Sequence, residues 1–427
     1  MMSKDILRHA MKQLPDKTAE LIKAKREGLG LTQREFAELL DLNANGERTV
    51  SGWERGEHRP SSTKLNALLS IETTTPFRSN PKRHKFTFID LFAGIGGIRL
   101  PFQEIGGKCV FTSEWDKFSK KTYAANFGEL PSGDITKIAA ADIPDHDILL
   151  AGFPCQAFSQ AGLRKGFLDT RGTLFFDIQR ILIEKRPKMV LLENVKQLRG
   201  HDKGKTLATI LSILRGNDVN LGSESLPLSE LAKNNPQDKL NYCVNYRVLN
   251  ASRFGVPQNR ERVYILALDR DHYSGINLEL ALEEIFTNLE NIDSRRALGS
   301  VLEKNSLVPD KYTISDRLLA GHERRKKEHR EKGNGFGFSV FNSQSPYCNT
   351  ISARYYKDGS EILIDQKDIG KNPRKLTPRE CARIQGFPEE FVVRAVSDCQ
   401  IYKQFGNSVS VPVIRAIANQ LRKYISS

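Results

Sequence analysis

Cysteine is sparse in this chain, and its spacing suits neither a metal site nor a disulfide framework. The sequence has 427 residues and six cysteines, none of which forms a CxxC pair. Scattered cysteines argue against zinc and fit a reducing compartment such as the cytoplasm. We therefore expect no bound metal ion. The six cysteines are Cys109, Cys155, Cys243, Cys348, Cys381 and Cys399.

Long apolar runs are also missing. No stretch of about 18 apolar residues occurs, so the sequence predicts no membrane-spanning helix. The first residues, MMSKDILRHAMKQL, lack the apolar core and the small-residue cleavage site of a secretory signal. Hydrophobic residues make up 39% of the chain and charged residues 27%, which is typical of a soluble globular protein. This length is sufficient for several domains.

Acidic residues are too few to balance the basic ones. The chain has 65 Lys and Arg against 51 Asp and Glu, a formal net charge of +14. The excess either raises solubility or serves to bind a polyanion, because Lys and Arg displace condensed counterions from phosphate backbones. Charge alone does not decide between these alternatives.

Residues 17–71 have the pattern of short helices joined by a turn. In LTQREFAELLDL the apolar residues recur at helical spacing, and TVSGWERGEHRP places Val50 and Trp53 three residues apart before Gly56 and Pro60. This pattern indicates a helix-turn-helix, whose second helix would read the major groove of DNA. The alternative is a small helical bundle that only packs.

This segment resembles the lambda Cro and repressor class through its TQ…A…L…TVS.WERG..P pattern. It departs from that class at residues 43–46, NANG, which lengthen the turn and leave the start of the second helix open. We assign residues 1–75 to this all-α domain and 76–85 to a polar linker. The candidate DNA contacts are Gln33, Arg48, Thr49 and Ser51.

From Phe86 onward, short apolar runs rich in β-formers alternate with helical segments. FTFIDLF, KCVFTSEW, HDILLAGF, PKMVLLEN and RVYILAL read as strands, and TLFFDIQRILIEKR and GKTLATILSILRG read as helices. This alternation predicts βαβ units and a mostly parallel sheet covered on both faces. A ligand would lie beyond the carboxyl ends of its strands.

A glycine-rich turn, IDLFAGIGG at residues 89–97, follows the first predicted strand. Glycines let a backbone approach a cofactor closely, but the spacing is not GxGxxG and no Gly-Lys-Ser/Thr follows to hold phosphates. Glu114 and Trp115 end the second strand, where an acid would bind ribose hydroxyls and an aromatic ring would cover adenine. Asp134 would serve the exocyclic amine. The combination predicts an adenosine ligand without a phosphate grip, which S-adenosylmethionine fits.

Other strand ends carry candidate reactive side chains. A cysteine is usually an inert buried residue, but Cys155 follows a strand and precedes a loop rich in Gly, Ser and Arg, which is the setting of a thiolate nucleophile. Glu193 follows MVLL, where apolar surroundings would raise its pKa enough for proton donation. The alternative for Glu193 is a capping or solvated acid. Arg260 and Arg262 are either surface residues or donors that grip a phosphate and a carbonyl oxygen.

The motifs FxGxGG, GFPCQxFS, ENV, QxRxR, RxLTxRExxRxQGFP and QFGNSV occur in that order, and the chain thereby resembles the DNA cytosine-5 methyltransferases. The resemblance covers roughly residues 86–268 and 373–420, with an apparent insertion between Leu221 and Leu240. It implies an α/β, Rossmann-like S-adenosylmethionine-dependent core and a separate small target recognition domain. The implied boundaries are 86–269 and 373–427 for the catalytic domain and 270–372 for the target recognition domain.

The resemblance also implies roles for individual residues. Cys155 would add to carbon 6 of a flipped-out cytosine, and Glu193 would give a proton to ring nitrogen 3. Arg262 would hold the ring carbonyl oxygen, with Arg260 beside the phosphate. The pocket wall would come from Pro154 and the Phe153 carbonyl, and the closing loop would include Gln156, Ser159 and Arg171. The implied cofactor residues are Phe92, Gly94, Gly97, Glu114, Trp115, Asp134, Ile135, Leu174 and Asn407.

The segment at 270–372 contains KGNGFGFS and NTISARYYKDGSEILIDQ, which resemble the recognition domains of methylases that act on CCNGG-type sites, the Dcm-like group. The implied target is the inner cytosine of CCNGG or its restricted form CCWGG. KGNGFG is also similar to the CCGG group, so that alternative stays open. The candidate DNA contacts here are Thr350, Arg354, Tyr355, Tyr356 and Lys357; the alternative is a strand and turn that pack on themselves.

Double-stranded DNA is the expected partner. A helix-turn-helix in front of such a methylase implies binding to its own promoter region, where it would repress transcription and would dimerise. A restriction endonuclease encoded nearby would be its functional counterpart. Two rival classes stay open: a transcription regulator with a degenerate enzyme domain, which intact Cys155, Glu193 and Arg262 disfavour, and a tRNA cytosine methylase, which the sizeable recognition module disfavours.

Overall fold

The computed structural model describes residues 17–28, 31–40, 42–43, 45–70, 75–78, 84–153, 174–217, 239–334 and 337–425. The α-helices are α1 Lys17–Gly28, α2 Gln33–Leu39, α3 Gly46–Glu54, α4 Ser62–Ser70, α5 Arg99–Glu104, α6 Lys117–Phe127, α7 Leu174–Lys185, α8 Lys205–Leu214, α9 Leu278–Glu290, α10 Asp316–Glu331, α11 Pro378–Ile384, α12 Asp398–Asn407 and α13 Val411–Ile425. The strands are β1 Phe86–Leu91, β2 Gly107–Ser113, β3 Ile148–Gly152, β4 Met189–Val195, β5 Tyr242–Asn250, β6 Glu261–Asp269, β7 Val340–Phe341, β8 Leu363–Gln366 and β9 Lys371–Arg374. No helix in the described ranges is long and apolar enough to cross a membrane.

The chain divides into two compact units. The first lies within Met1–Arg78, Lys117–Leu130 and Glu390–Ser397, and the second within Ser79–Asp116, Pro131–Glu389 and Asp398–Ser427.

The first unit contains the predicted helix-turn-helix, formed by α2 and α3. The second helix begins at Gly46, which fixes the start that the longer turn left open. A Cβ at Gly46 would lie 2.7 Å from Ala37 Cβ and 2.8 Å from Leu42 Cβ, so only glycine permits this close approach. The core of these helices consists of Ile22, Phe36, Ala37, Val50, Trp53 and Leu68.

A buried ion pair joins α1 to α3. The Arg26 guanidinium donates from Nε and Nη2 to the Glu54 carboxylate at 2.5 and 3.0 Å, and the two side chains are only 7% and 5% exposed. Arg26 Nη1 also donates to the Leu31 carbonyl at 2.8 Å. Removal of either partner would leave an uncompensated buried charge, so these helices depend on the pair being complete.

The second unit is built on a six-stranded sheet with the order β2-β1-β3-β4-β6-β5. Strands β2, β1, β3 and β4 run parallel, whereas β6 is antiparallel to both neighbours. Successive residues of a strand face opposite sides, so that Leu149 joins one apolar cluster with α7 and α8 while Leu150 joins another with α9 and α13. The sheet is therefore mostly parallel with helices on both faces, as predicted, and the carboxyl ends of β1 to β4 meet at one edge.

Helix α9 packs on the six-stranded sheet. Asn277 caps it by accepting a hydrogen bond from the Leu280 backbone N–H at 3.0 Å, and Leu282 and Phe286 lie in the same apolar cluster as the sheet. Residues 278–290 therefore pack with the sheet, although our expected boundary at residue 270 placed them in the recognition module.

The segment that we expected to be the recognition module, residues 270–372, contains helix α10 and two strands of the small sheet β7-β8-β9, whose third strand spans Lys371–Arg374. Ser315 caps α10 through a hydrogen bond from the Leu318 backbone N–H. The chain then returns to the core through α11, which begins with a capping box between Thr377 and Glu380.

Candidate active site

The glycine-rich turn after β1 is open on one side. Phe92 and Gly94 both have a φ of 55°, and Gly96 has a φ of 88°. A non-glycine residue in this left-handed region costs about 1–3 kcal/mol, and such strain is concentrated at ligand sites. A Cβ at Gly94 would meet no heavy atom within 4 Å, so free space borders the turn where a ligand would approach its backbone.

Glu114 ties this turn to the end of β2. One carboxylate oxygen accepts a hydrogen bond from the Gly94 backbone N–H at 2.7 Å, and the other accepts one from the Asp116 N–H, also at 2.7 Å. Burial raises the pKa of Glu114, while these two N–H donors lower it. The carboxylate is thus fixed in place and retains lone pairs that can accept ribose hydroxyls.

Trp115 and Asp134 both follow Glu114 in the chain. Trp115 is 80% exposed, an unusual position for tryptophan that leaves its ring face available for stacking. The Glu114 N–H donates to the Ser132 carbonyl at 2.9 Å, which holds the loop leading to Asp134 against β2. Asp134 caps the short 3-10 helix Ile135–Lys137 with one oxygen, accepting from the Thr136 N–H at 3.1 Å.

Asn407 is brought to the same edge of the sheet. It is the exposed last residue of α12, and the next two residues pack on the glycine turn: a Cβ at Gly97 would lie 3.0 Å from Ser408 Oγ and 2.9 Å from Val409 Cγ2. Ile135 is buried, and Leu174 is the half-buried first residue of α7. An acid, an exposed indole and an open glycine turn fit the ribose, adenine and amino-acid parts of S-adenosylmethionine.

One residue of this region was missed by the sequence reasoning. Asp90 is fully buried near the end of β1, and both its carboxylate oxygens lack a hydrogen-bond partner among the described residues. Burial raises the pKa of Asp90 well above its usual value, opposed by the charge of Arg99. An acid within the otherwise apolar run FTFIDLF was the available signal.

Glu193, near the end of β4, and Arg262, near the start of β6, lie beside each other. The strands are antiparallel, with Val195 opposite Arg262. Arg262 Nε lies 3.3 Å from Glu193 Oε1, and the side chains are 14% and 11% exposed. Burial raises the pKa of Glu193, with Arg262 and then Arg260 opposing the shift. The carboxyl group therefore holds its proton to a higher pH than a solvated glutamate.

Arg260 does not occupy the position expected for a phosphate ligand. It is 2% exposed, and its Nη atoms donate to the backbone carbonyls of Ile351 at 3.2 Å and of Gly406 and Ser408 at 3.2 and 2.6 Å. Burial, followed by the nearby charge of Arg262, lowers the pKa of Arg260 to about 9. The Arg260 side chain therefore donates its hydrogen bonds to backbone carbonyls of the protein, and we withdraw its assignment to a DNA phosphate.

The approach to the expected nucleophile starts beside Glu193. Gly152, the last residue of β3, pairs in register with Glu193, and Asn194 Nδ2 donates to the Phe153 carbonyl at 3.1 Å. Asn194 thus fixes the carbonyl that was expected to shape the pocket. The expected site residues Pro154, Cys155, Gln156, Ser159 and Arg171 lie outside the described residues.

The candidate DNA contacts in the segment 270–372 differ in their exposure. Arg354, Tyr356 and Lys357 are exposed, and Thr350 donates through Oγ1 to the Asn259 carbonyl at 2.6 Å. Tyr355 is fully buried; its hydroxyl donates to the Ile362 carbonyl at 2.6 Å and accepts from the Leu376 N–H at 2.8 Å. Tyr355 therefore anchors the turn from below and is not available to DNA, contrary to our expectation.

In the helix-turn-helix, the buried side chains of α3 are Val50 and Trp53, and the candidates differ in their exposure. Arg48 is exposed, while Thr49 and Ser51 are half-buried. Gln33 is half-buried, and its amide donates to Glu54 at 2.8 Å, so its side chain also braces the buried ion pair.

Comparison with known proteins assigns the chain to a family. The family model for C-5 cytosine-specific DNA methylase matches residues 86–221 and 232–423, and a helix-turn-helix model matches residues 22–71. The chain is 51% identical to the Type II methyltransferase M.SsoII of Shigella sonnei, over 97% of this chain and 100% of that protein. It is 52% identical to the Type II methyltransferase M1.ScrFI of Lactococcus lactis subsp. cremoris, over 94% of each chain.

Among solved structures, the Dnmt2 methyltransferase of S. pombe superimposes with a TM-score of 0.59 at 20% identity, covering 79% of this chain and 99% of that one. This likeness confirms the predicted α/β methyltransferase fold. The chain therefore belongs to the C-5 cytosine-specific DNA methylase family: it is a DNA cytosine-5 methyltransferase that takes its methyl group from S-adenosylmethionine and carries a helix-turn-helix domain in front of the catalytic core.

Proposed function

We propose that this enzyme methylates the inner cytosine of a CCNGG-type site after that base has been flipped out of the duplex, with Cys155 as the nucleophile. The observation that carries this proposal is the partly buried Glu193–Arg262 pair, opposite the strand end that leads to Cys155. A base inside a duplex is closed to attack on both faces, so flipping is required for the chemistry.

The proposed reaction uses the thiolate to activate a poor nucleophile. Cys155 Sγ adds to carbon 6 of the cytosine, the ring electrons move to give an enamine at carbon 5, and Glu193 donates its proton to ring nitrogen 3. Bound S-adenosylmethionine supplies an electrophilic methyl group. Carbon 5 takes up that methyl group and S-adenosylhomocysteine leaves. A base then removes the carbon-5 proton, the thiolate leaves, and ring nitrogen 3 returns its proton to Glu193, which restores the aromatic ring.

Two features of the Glu193–Arg262 pair support these roles. Burial raises the pKa of Glu193, which favours its proton-donating acid form relative to that of a solvated glutamate. Arg262 keeps a guanidinium beside that carboxyl, and its Nη1 donates to the Glu261 carbonyl at 2.8 Å, which restrains the fork near the expected position of the ring oxygen.

On the cofactor side, we assign the ribose hydroxyls to Glu114 and the adenine ring to Trp115. Asp134 has one oxygen outside its capping bonds for the exocyclic amine, and Ile135 would pack beside the base. The remaining proposed cofactor residues are Phe92, Gly94, Gly97, Leu174 and Asn407.

The proposed site specificity depends on the recognition module. CCNGG, its restricted form CCWGG and the alternative CCGG differ in the centre of the site. Thr350, Arg354, Tyr356 and Lys357 are the proposed contacts, because an arginine can bind guanine in two places and a lysine can bind phosphate.

Bisulfite sequencing of DNA exposed to the enzyme determines both the site and the target base. We expect protection of one cytosine within CCNGG sites. Protection confined to CCGG would select the alternative, and protection outside both patterns would contradict the proposed specificity.

We further propose that the helix-turn-helix binds the promoter region of its own gene as a dimer and represses it, with a nearby restriction endonuclease as the functional counterpart. The exposed Arg48 on α3, a helix that buries Val50 and Trp53, supports this second DNA interface. Arg48→Ala should weaken promoter binding in a gel-shift assay and leave methylation intact.

The matched control is Arg34→Ala, which removes another exposed arginine, one that pairs with Glu38 on α2. Equal binding by the wild type and the Arg48 variant would contradict the assignment of α3 as the reading helix.

A further inference from the structure

Three chain segments meet at the buried Arg260 guanidinium. Its Nη1 donates to the Ile351 carbonyl, and its Nη2 donates to the carbonyls of Gly406 and Ser408. We call this meeting point the Arg260 junction and define it as residues 256–260, 348–353 and 406–408. A single side chain thus holds the segment before β6, the recognition module and the end of α12.

The first two segments of the junction are also bonded directly along their backbones. The Cys348 N–H donates to the Pro257 carbonyl at 2.9 Å, and the Asn259 N–H donates to the Cys348 carbonyl at 2.8 Å. Gln258 is fully buried and accepts from the Ile351 N–H at 3.0 Å. These hydrogen bonds attach residues 348–351 of the recognition module to the segment that precedes β6.

The third segment is in close steric contact with the recognition module. A Cβ at Gly406 would lie 2.3 Å from the carbonyl atoms of Ser352 and 2.4 Å from the Ala353 nitrogen. The two contacted residues directly precede the exposed Arg354. Gly406 and Ser408 also bracket Asn407, the proposed cofactor residue, so movement of the recognition turn would be transmitted to its backbone.

The same side chain lies two residues from Arg262 on the way into β6. An ammonium could not replace it, because a lysine places one compact charge where the guanidinium fork reaches three carbonyls in two directions. Burial and the neighbouring charge of Arg262 both disfavour the charged form of Arg260 and lower its pKa.

We propose that Arg260 is a positioning residue that couples DNA binding at the recognition turn to cofactor binding at Asn407. The coupling rests on the proposed function, because it takes the turn at 352–358 as a DNA contact and Asn407 as a cofactor contact. Two ligands that share one rigid junction should bind more tightly together than apart, and by the same factor in either order.

The test compares full-length wild type with Arg260→Lys and Gly406→Ala, which perturb the junction from opposite sides. The probes are S-adenosylhomocysteine and a duplex that the wild type has been shown to methylate. Calorimetry measures the Kd of S-adenosylhomocysteine with and without the duplex. The matched control is Arg374→Lys, another fully buried arginine, which bonds Glu380 rather than the junction.

We expect the duplex to tighten S-adenosylhomocysteine binding by the wild type about fivefold or more, within the usual range of coupling. Arg260→Lys and Gly406→Ala should reduce that ratio to below about twofold. Arg374→Lys should keep the wild-type ratio even where its unfolding temperature falls.

Three outcomes would overturn the proposal: a wild-type ratio of one, unchanged ratios in both junction variants, or an equal loss of coupling in Arg374→Lys, which would reveal general destabilisation. If Arg260→Lys fails to fold, Gly406→Ala alone decides between coupling and its absence. A wild type that methylates no duplex would instead contradict the proposed function and is recognised before any coupling is measured.

Discussion

Replacement of Glu193 by glutamine tests the proton donor with almost no change of shape. Glutamine keeps the size and one acceptor oxygen but carries no transferable carboxyl proton. General acid catalysis contributes about 10²–10⁴-fold, or about 2.7–5.4 kcal/mol of barrier at 1.36 kcal/mol per tenfold change. We expect Glu193→Gln to lower the single-turnover rate of methyl incorporation by that factor.

The pH dependence supplies a second readout. Burial raises the pKa of Glu193 in the folded enzyme, so the protonated form is full below that pKa and is lost as the pH rises through it. The wild-type rate should therefore have a falling alkaline limb that reports Glu193. The glutamine variant has no carboxyl group to titrate there and should lack this limb.

The assay is transfer of labelled methyl groups from S-adenosylmethionine to duplex DNA, measured from pH 6 to 9 in a single turnover. Glu261→Gln is the matched control, because Glu261 neighbours Arg262 but pairs with Lys196 at 2.7 Å on the surface. The reasoning is refuted if Glu193→Gln stays within about threefold of wild type with the same pH profile, since general acids contribute more than that.

Two further predictions use the two tryptophans of the chain. Trp115→Ala should weaken S-adenosylhomocysteine binding about two- to tenfold, because an aromatic contact contributes about 0.5–1.5 kcal/mol; calorimetry measures it, and an unchanged Kd would remove Trp115 from the adenine pocket. Glu54→Gln should destabilise the helix-turn-helix by about 3–5 kcal/mol, because it leaves Arg26 buried without its partner. In a Trp115→Phe background, denaturant unfolding followed by Trp53 fluorescence measures this loss, and a change below about 1 kcal/mol would place the pair among ordinary surface ion pairs.

Residues at strand ends could be placed from the sequence because one rule governs them all. An apolar run that stops at an acid or an arginine puts that side chain at the edge where parallel strands end. Glu114 directly follows β2 and Glu193 lies near the end of β4. The nearness of Arg262 to Glu193 instead follows from the antiparallel pairing of β6 with β4. The fold class, the enzyme class and the cofactor followed from the motif order and are confirmed.

Residues whose surroundings come from distant segments could not be placed in this way. Arg260 and Arg262 are two residues apart and chemically identical, yet Arg260 turns to carbonyls at Ile351, Gly406 and Ser408. Tyr355 sits among exposed basic residues in the sequence but bonds Leu376 in the core. The residues next to Arg260 and Tyr355 in the sequence do not indicate these hydrogen-bond partners. Both sets of contacts form only when distant segments of the chain pack together.

The most direct test of the central claim is methyl incorporation by wild type and Cys155→Ser side by side. Serine is a far weaker nucleophile than a cysteine thiolate, so the variant should lose activity about a thousandfold or more. The account predicts labelled methyl groups on carbon 5 of cytosine with the wild type and background incorporation with Cys155→Ser. Equal incorporation by the two proteins would contradict it.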